Sequence, residues 1–481
     1  MSSDLSEVTK ALGFAKRVGI GQTKGVKRDS QPIPKVVYRV QEAVLKVVEG
    51  LPIGTNLRIH DAMLTVMSGR LLESRGALIP ALDSGGLDQN ECLRTREAIQ
   101  EGSWWVKGLL KRLWEWVKGE GKWEALEVAG YKVKAVDSIG IYRPRLEGCV
   151  SKHYNSNADK ALPAINFAVM SAIGRVGEQK VSLPEVIVRG EERGLGEEAL
   201  IKKVCREAKS LFGKKDVGTA DRKVSVLLML EGGIKQVVVR RASNLTVRRR
   251  LVEGVAKEQG TKKKRGRPNK RGALIRPLER KRKGKLIPAS TPDEVHHWYE
   301  ETDRVEARLW RDVVLSEQKV WSEQAKLINQ KQSWVVVVVI HPQYDEPMVI
   351  LSNLQLPPQQ TYAIMCGRFG VEQMPLVSKQ LLGAHRMFVF AKEMCFRLPE
   401  LAFVAGSTLM AVAAHCEEMP TGWWDTHPKP TAGRLRRQLR KVQDFHVLHR
   451  PDILRKKNST TAHLPKGFHP AIKKHRNISE T

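Results

Sequence analysis

The stretch "GYKVKAVDSIGIYRPRL", residues 130–146, decides the fold class, because apolar and polar residues alternate along most of its length. This alternation is typical of a β-strand with one buried face. Asp137 lies inside the apolar part of the stretch. A carboxylate is rare in a buried strand, so Asp137 is either a candidate site residue or a half-exposed neighbour of a turn.

The residues that follow predict a mixed α/β sheet. The predicted elements are a long hairpin with its turn near "GRVGEQ" (161–190), a helix (196–213), a strand (215–222), a helix (223–233) and a strand (234–241). Their order, β-β-β-α-β-α-β, combines three antiparallel strands with alternating helix and strand. Ligands of such sheets bind at strand ends, where Asp221 closes the fourth strand in "KDVGTADR". Asp221 is therefore a second candidate, unless it only pairs with Arg222.

The remaining pattern divides the chain into parts. Apolar residues recur at three- and four-residue steps before the sheet, and the core pattern stops between residues 242 and 333. The predicted parts are 1–128, an all-helical N-terminal DNA-binding domain; 129–241, the first part of the core; 242–358, a basic, partly β insertion; 359–416, two closing helices; and 417–481, a basic C-terminal tail.

Two segments of the insertion have patterns of their own. The spacing in residues 294–328, "EVHHWYEETDRVEARLWRDVVLSEQKVWSEQAKLI", predicts an amphipathic helix. "WVVVVVIHP" (334–342) and "PMVILSNLQL" (347–356) predict paired strands around the turn "QYDE".

The composition of "ELAFVAGSTLMAVAAHC" (400–416) predicts that the second closing helix is buried.

The charge of the chain indicates its partner. Its 82 Lys and Arg against 52 Asp and Glu give a net charge of +30, which attracts polyanions such as nucleic acid. The longest apolar run, "WVVVVVI" (334–340), is far shorter than the roughly 20 residues of a membrane helix, and the start lacks the apolar region of a secretory signal. Six scattered Cys show no zinc-ligand spacing. We therefore expect a cytoplasmic protein that does not bind a membrane.

The most basic segment is "TKKKRGRPNKRGALIRPLERKRKGK" (261–285), with 13 Lys and Arg against the single acid Glu279. Such a run is a solvated arm that neutralises DNA phosphates. Its "RGRP" (265–268) is similar to an AT-hook, which lies in the minor groove; a basic linker that contains this tetrapeptide by chance is the alternative. The candidate DNA contacts here are Lys262, Lys263, Lys264, Arg265 and Arg267.

A third acid follows the insertion. In "CGRFGVEQMPLVSKQ" (366–380), Glu372 lies four residues after Arg368 and seven before Lys379, so a helix would place all three on one face. An intrahelical ion pair is the plain alternative for this stretch. Asp137, Asp221 and Glu372 converging at one sheet edge can hold two Mg²⁺ ions, for which Mn²⁺ can substitute.

Around these acids the chain resembles the DDE transposases of bacterial insertion sequences, whose ribonuclease-H-like core is interrupted by a β-rich insertion before the final Glu. The resemblance covers residues 129–416. In that family the first Asp lies on the first strand, as in "AVDSIGIY", and the second commonly closes the fourth strand as Ala-Asp-Arg, as in "VGTADRKVS". The third acid lies in a helix with the signature Tyr-x2-Arg-x3-Glu-x6-Lys, whose last three members match Arg368, Glu372 and Lys379.

The chain departs from this signature at two places. Met365 occupies the Tyr position, with Tyr362 one turn earlier, and Pro375 interrupts the helix between Glu372 and Lys379. Glu393 is the substitute acid if the register differs. The resemblance implies that Asp137, Asp221 and Glu372 are the catalytic metal ligands. It also implies DNA contacts by Arg368, Lys379 and Tyr362, with Arg222 beside the second Asp. Relatives of this kind stack a flipped base on an aromatic ring, for which the candidates are Trp298, Trp310, Trp321 and Trp334.

The sequence thus predicts a transposase. It would cut at transposon ends and join the freed 3′-hydroxyl to target DNA by two-metal phosphodiester chemistry, and the pairing of two DNA ends makes a homodimer plausible. Double-stranded DNA, both terminal inverted repeat and target, would be the partner, so the protein would be cytoplasmic and associated with the nucleoid. A non-catalytic DNA-binding or architectural protein, and a ribonuclease-H-like nuclease that cuts without joining, are the alternatives.

Overall fold

The structure, a computed structural model, describes residues 34–143, 146, 149, 151–155, 157–190, 196–250, 272–316, 322–445 and 454. Contacts divide the chain into Met1–Pro34, of which only Pro34 is described, and Lys35–Thr481, which holds every element below. Six residues predicted to contact DNA lie outside the described residues: Lys262, Lys263, Lys264, Arg265, Arg267 and Trp321. The division into five parts stays a prediction.

Helices form the described chain before the sheet, as the apolar spacing predicts. They are α1 (Lys35–Val48), α2 (Thr55–Met67), α3 (Arg70–Glu73), α4 (Leu78–Asp83), α5 (Gln89–Glu101) and α6 (Val106–Gly119). In α1, Val37, Val40 and Val44 are buried, because residues three and four apart share one helix face. A capping box of Asp88 and Glu91 satisfies backbone N–H groups at the start of α5.

Most of the described strands form one mixed sheet. The strands are β1 (Trp123–Ala125), β2 (Glu127–Val128), β3 (Tyr131–Tyr142), β4 (Lys152–Asn155), β5 (Lys160–Val176), β6 (Gln179–Arg189), β7 (Asp216–Ala220), β8 (Val237–Arg241), β9 (Val247–Arg249), β10 (Leu274–Ile275), β11 (Arg280–Arg282), β12 (Lys285–Ile287), β13 (Glu294–Glu300), β14 (Asp303–Leu315), β15 (Trp334–Ile340) and β16 (Met348–Ser352). Among the described residues, 14 strands join in the order β1-β5-β3-β7-β8-β16-β15-β14-β9-β10, with β2, β4, β6 and β13 paired at its sides. The predicted mixed α/β class is confirmed.

The strands around Asp137 follow the predicted order. β3 is antiparallel to β5, and β5 is antiparallel to β6, with the hairpin turn at residues 177–178. β3 is parallel to β7, and β7 is parallel to β8. The crossover helices are α7 (Glu197–Ala208) and α8 (Val226–Glu231). They bury Val204 and Met229 in one apolar cluster with Val136 of β3. The sequence did not predict the short β4.

The insertion extends this sheet. β16 pairs with β8, and β15 pairs with β16 in the antiparallel hairpin that the sequence predicts. β14 then pairs with β15 on one side and with β9 on the other. The five consecutive valines of β15, residues 335–339, are all buried. A fully apolar strand fits a central position in a sheet that is covered on both faces.

The helix predicted over residues 294–328 is wrong. This segment forms the hairpin β13–β14, which turns at Glu301, and only its end is helical, in α9 (Glu323–Lys331). Along β13, exposure alternates from residue to residue, which is the period of a strand.

Trp310 and Trp334 are fully buried, and their indole N–H groups donate to the carbonyl of Thr291 and to Oδ1 of Asn329, at 2.9 and 3.1 Å.

The first closing helix changes its geometry. It begins as α10 (Pro358–Gly367), tightens to a 3₁₀ turn (Arg368–Glu372), continues as α11 (Gln373–Leu376) and widens to a π turn (Val377–Leu381). Pro375 has no backbone N–H to donate and crowds the preceding turn, which is the predicted interruption. A π turn after the proline changes the position of Lys379 relative to Glu372.

The second closing helix is α12 (Lys392–His415), and it is the core helix of the described chain. It packs against α2, α5, α6 and β6. It is the one helix among the described residues that is long and apolar enough to cross a membrane, and 89% of that window is buried inside the protein. Such burial is typical of a core helix. After α12 the chain reaches α13 (Ala432–Lys441).

Candidate active site

Asp137 and Asp221 lie on neighbouring parallel strands. Val136 of β3 lies opposite Ala220, the last residue of β7. Asp137 and Asp221 each follow one position later, and paired strands run about 4.8 Å apart. The two carboxylates therefore lie side by side at the edge of the sheet where β7 ends.

The third acid reaches these aspartates from the closing helix. The 3₁₀ turn that ends in Glu372 packs on β3, β5 and β6. Gly367 permits this close approach, since a Cβ there would lie 2.6 Å from Cδ2 of Leu126. The charges of Asp221 and Glu372 both raise the pKa of Asp137, so the three acids are electrostatic neighbours.

The surroundings of Asp137 are unfavourable for a carboxylate. Burial raises its pKa to about 6, opposed chiefly by the positive charge of Arg368. The backbone N–H of Ser138 donates to Oδ1 of Asp137 at 2.8 Å, which also favours the ionised form. An anionic site in such surroundings gains from a nearby cation.

Two basic residues meet the acids. Nη2 of Arg368 donates to Oε1 of Glu372 at 3.0 Å, and the Arg side chain is only 4% exposed whereas that of Glu372 is 57% exposed. The guanidinium also lies 5.0 Å from the centre of the Phe369 ring. Burial lowers the pKa of Lys379, and the charge of Asp137 opposes that change. The structure thus brings together five predicted site residues: Asp137, Asp221, Glu372, Arg368 and Lys379.

One observation favours a cation at the aspartates and one does not. Oδ1 of Asp221 is buried without a hydrogen-bond partner in the described structure, as a carboxylate that awaits a cation would be. Against this, the described part of the chain contains no group of three or more His, Cys, Asp or Glu arranged to hold a metal ion. The carboxylate of Glu372 is instead engaged by Arg368. Asp137 and Asp221 fit a divalent cation, and Glu372 fits only after its carboxylate leaves Arg368.

Three of the predicted DNA-contacting side chains are buried elsewhere. Tyr362 is 3% exposed and lies beside Trp298 and His341, with ring centres 6.0 and 6.3 Å away, so it cannot reach a phosphate. Trp310 and Trp334 have no exposed surface and cannot stack a base. Trp310 lies on β14, which the helical interpretation of residues 294–328 did not anticipate, whereas Trp334 lies on β15 and Tyr362 on α10.

The other described candidates keep accessible surface. Trp298 is partly buried, and its indole N–H donates to Oε1 of Glu300 at 3.2 Å. Arg222 is exposed directly after Asp221. The substitute acid Glu393 bonds Nη1 of Arg189 at 2.6 Å and is not among the charges that shift the pKa of Asp137. Glu372 is therefore the acid that neighbours Asp137.

A polar cluster that was not predicted from the sequence lies beside Asp137. The hydroxyl of Ser138 donates to Oε1 of Glu197, and Nδ1 of His153 lies 3.5 Å from the same oxygen. Burial lowers the pKa of His153. The only signal in the sequence was the pair of adjacent acids in the first turn of α7. This signal is weak, because acids at helix N-termini are common for stability alone.

No protein-family model matches the chain, and no curated protein matches it by sequence. The function must be inferred from the site itself.

Proposed function

We propose that the chain is a DDE-type DNA transposase, which cuts at transposon ends and joins the 3′-hydroxyl ends to target DNA. The observation that carries the proposal is that Asp137 and Asp221 follow paired positions of β3 and β7, and that the turn ending in Glu372 packs on β3. The sheet order β6-β5-β3-β7-β8 supports the ribonuclease-H-like core that the resemblance implies.

Divalent ions, when bound, would stabilise charge on the attacking and leaving oxygens of a phosphodiester. Asp137 and Asp221 would hold them, with Glu372 as the third ligand. Arg368 lies against Phe369 and its side chain is only 4% exposed, so it would bind a phosphate only after Glu372 moves away from it. Exchange of its partner from Glu372 to a DNA phosphate would free the Glu372 carboxylate.

The test is cleavage of DNA that carries the inverted repeats flanking the gene, in Mg²⁺ or Mn²⁺. We expect Asp221→Ala to retain binding to the ends but to lose nicking by at least about 100-fold, as removal of a transition-state group does. Asp345→Ala, at an exposed turn position between β15 and β16, is the matched control and should cut like the wild type. Full cleavage by Asp221→Ala would remove Asp221 from the site.

Metal binding has a readout besides activity. A cation that binds only the folded state raises stability by RT ln(1 + [L]/Kd), about 2.7 kcal/mol at 100 times Kd. We expect Mn²⁺ to raise the melting temperature of the wild type, and we expect Asp137→Asn and Asp221→Asn to reduce that gain. An equal gain in all three proteins would place the ion elsewhere.

A non-catalytic DNA-binding protein is the second candidate, favoured by the Arg368–Glu372 pair and by the lack of a three-ligand group in the described residues. It predicts end binding without nicks in either metal. A ribonuclease-H-like nuclease would nick but would not transfer strands to a target plasmid, so nicking and strand transfer measured together separate all three candidates. A homodimer that pairs two DNA ends, associated with the nucleoid, follows from the transposase proposal.

A further inference from the structure

Two adjacent tryptophans after α12 project into solvent. Trp423 is 92% exposed and Trp424 is 65% exposed. Their ring centres lie 6.0 Å apart at an interplanar angle of 79°. The free energy falls when a partner covers large apolar rings that are exposed to this extent.

Hydrogen bonds fix the loop that carries the two rings. The backbone N–H and the hydroxyl of Thr421 donate to Oδ2 of Asp425 at 3.0 and 3.1 Å. Asp425 pairs with Nη2 of Arg434 at 2.8 Å, and Nη1 of Arg434 donates to the carbonyl of Met419 at 2.9 Å. The backbone of the loop is therefore ordered before any ligand arrives, which lowers the entropy lost on binding.

The charge around the rings favours a polyanion. Residues 417–441 contain six Lys and Arg against three acids. Of the acids, Asp425 is paired with Arg434, whereas Glu417 and Glu418 adjoin the loop. Arg437 and Lys441 of α13 are exposed. A second copy of this chain would carry the same positive charge and would be repelled at this surface.

The loop is followed by residues that line a cavity shared with Glu372. Residues 426–432, which directly follow the tryptophan loop, line one wall of a cavity of about 810 Å³. Phe369 and Glu372 line the same cavity, and Phe369 is 42% exposed. The cavity therefore lies between Glu372 and the segment that follows the tryptophan loop.

We propose that Trp423 and Trp424 form a stacking surface for unpaired bases of the DNA strand held at the acids. The inference rests on the proposed function in its choice of DNA as the ligand. Stacking on aromatic rings requires exposed base faces, which a single strand offers and an intact duplex does not. The exposed cations of α13 would bind the phosphates of the same strand.

The test measures binding of a single-stranded oligodeoxynucleotide that carries 2-aminopurine, in EDTA so that no cleavage occurs. We expect Trp423→Ala/Trp424→Ala to weaken this binding at least about 10-fold and to remove the quenching of the probe, because each base–aromatic stack contributes that much. Affinity for a blunt duplex should change less than about 2-fold. The control is Trp105→Ala, because Trp105 is also 65% exposed.

Two results would overturn the inference: equal single-strand affinity in the double variant, or loss of self-association on sedimentation with DNA binding unchanged. The latter would assign the rings to a contact between protein copies. Because the assay contains no metal, its outcome is independent of cleavage. Loss of nicking in Asp221→Ala with unchanged binding by the double variant would leave the proposed function standing without the stacking surface.

Discussion

At the scale of single residues, the surroundings separate site carboxylates from structural ones. Burial raises the pKa of Asp137 to about 6 and that of Glu400 to about 7. The charges of Glu372 and Asp221 raise the pKa of Asp137 further. Glu400 lies on the core helix α12, with Arg189 3.9 Å away and Arg397 as a second positive neighbour. A raised pKa alone therefore does not mark the site.

Glu400 should make stability depend on pH. Its folded-state pKa lies above its ordinary value of 4.5, so the unfolded chain loses this proton first. Its contribution to stability is full below pH 4.5 and is lost as the pH rises to about 7. At 1.36 kcal/mol per pKa unit the loss is about 3 kcal/mol.

Urea unfolding at several pH values checks this. Glu400→Gln should lack the loss, so its free energy of unfolding relative to the wild type should rise between pH 4.5 and 7. Glu97→Gln, a change of an exposed residue on α5, is the control. A constant difference between Glu400→Gln and the wild type across this range would contradict the prediction.

At the scale of elements, the error over residues 294–328 is instructive. Its charged and apolar residues recur at three- and four-residue steps but also alternate, so the local pattern fits both a helix and a strand. The later strand β15 selects the strand conformation for this segment, because its buried residues pair with β14 through backbone hydrogen bonds. Such pairing lies outside the local sequence.

Trp310 and Trp334 belong to this sheet, and their replacement should affect folding. Trp310→Ala or Trp334→Ala would leave a large cavity, and we expect each to lower the free energy of unfolding by about 3 to 5 kcal/mol. Urea unfolding measures this, with Trp105→Ala expected within about 0.5 kcal/mol of the wild type. A small effect at Trp310 or Trp334, with a selective loss of DNA binding, would restore them as base-stacking residues.

At the scale of the whole molecule, the net charge of +30 should dominate binding to DNA. If about six phosphates are neutralised, affinity falls about 1,000-fold between 50 and 200 mM salt. Fluorescence anisotropy of labelled duplex DNA measures the slope of affinity against salt. An affinity that is nearly independent of salt would contradict binding through DNA phosphates.

One exposed arginine can be tested in the same assay. Arg222→Gln, at the end of β7 that carries Asp221, should reduce the slope of log affinity against log salt by about 0.9, as loss of one phosphate contact does. The matched control is Lys214→Gln, because Lys214 is also exposed but precedes the first residue of β7. This change should leave the slope unchanged. Equal slopes for both variants would remove Arg222 from the interface.

Local patterns in the sequence predict the mixed α/β class, the strand order around Asp137, the hairpin of residues 160–189 and the burial of the second closing helix. These follow from local periodicity and composition, which a single segment carries. Only the tertiary structure decided that Glu372 neighbours Asp137, that Tyr362 is buried, and that residues 294–315 form strands. These depend on contacts between segments far apart in the chain, whose energies no short stretch of sequence contains.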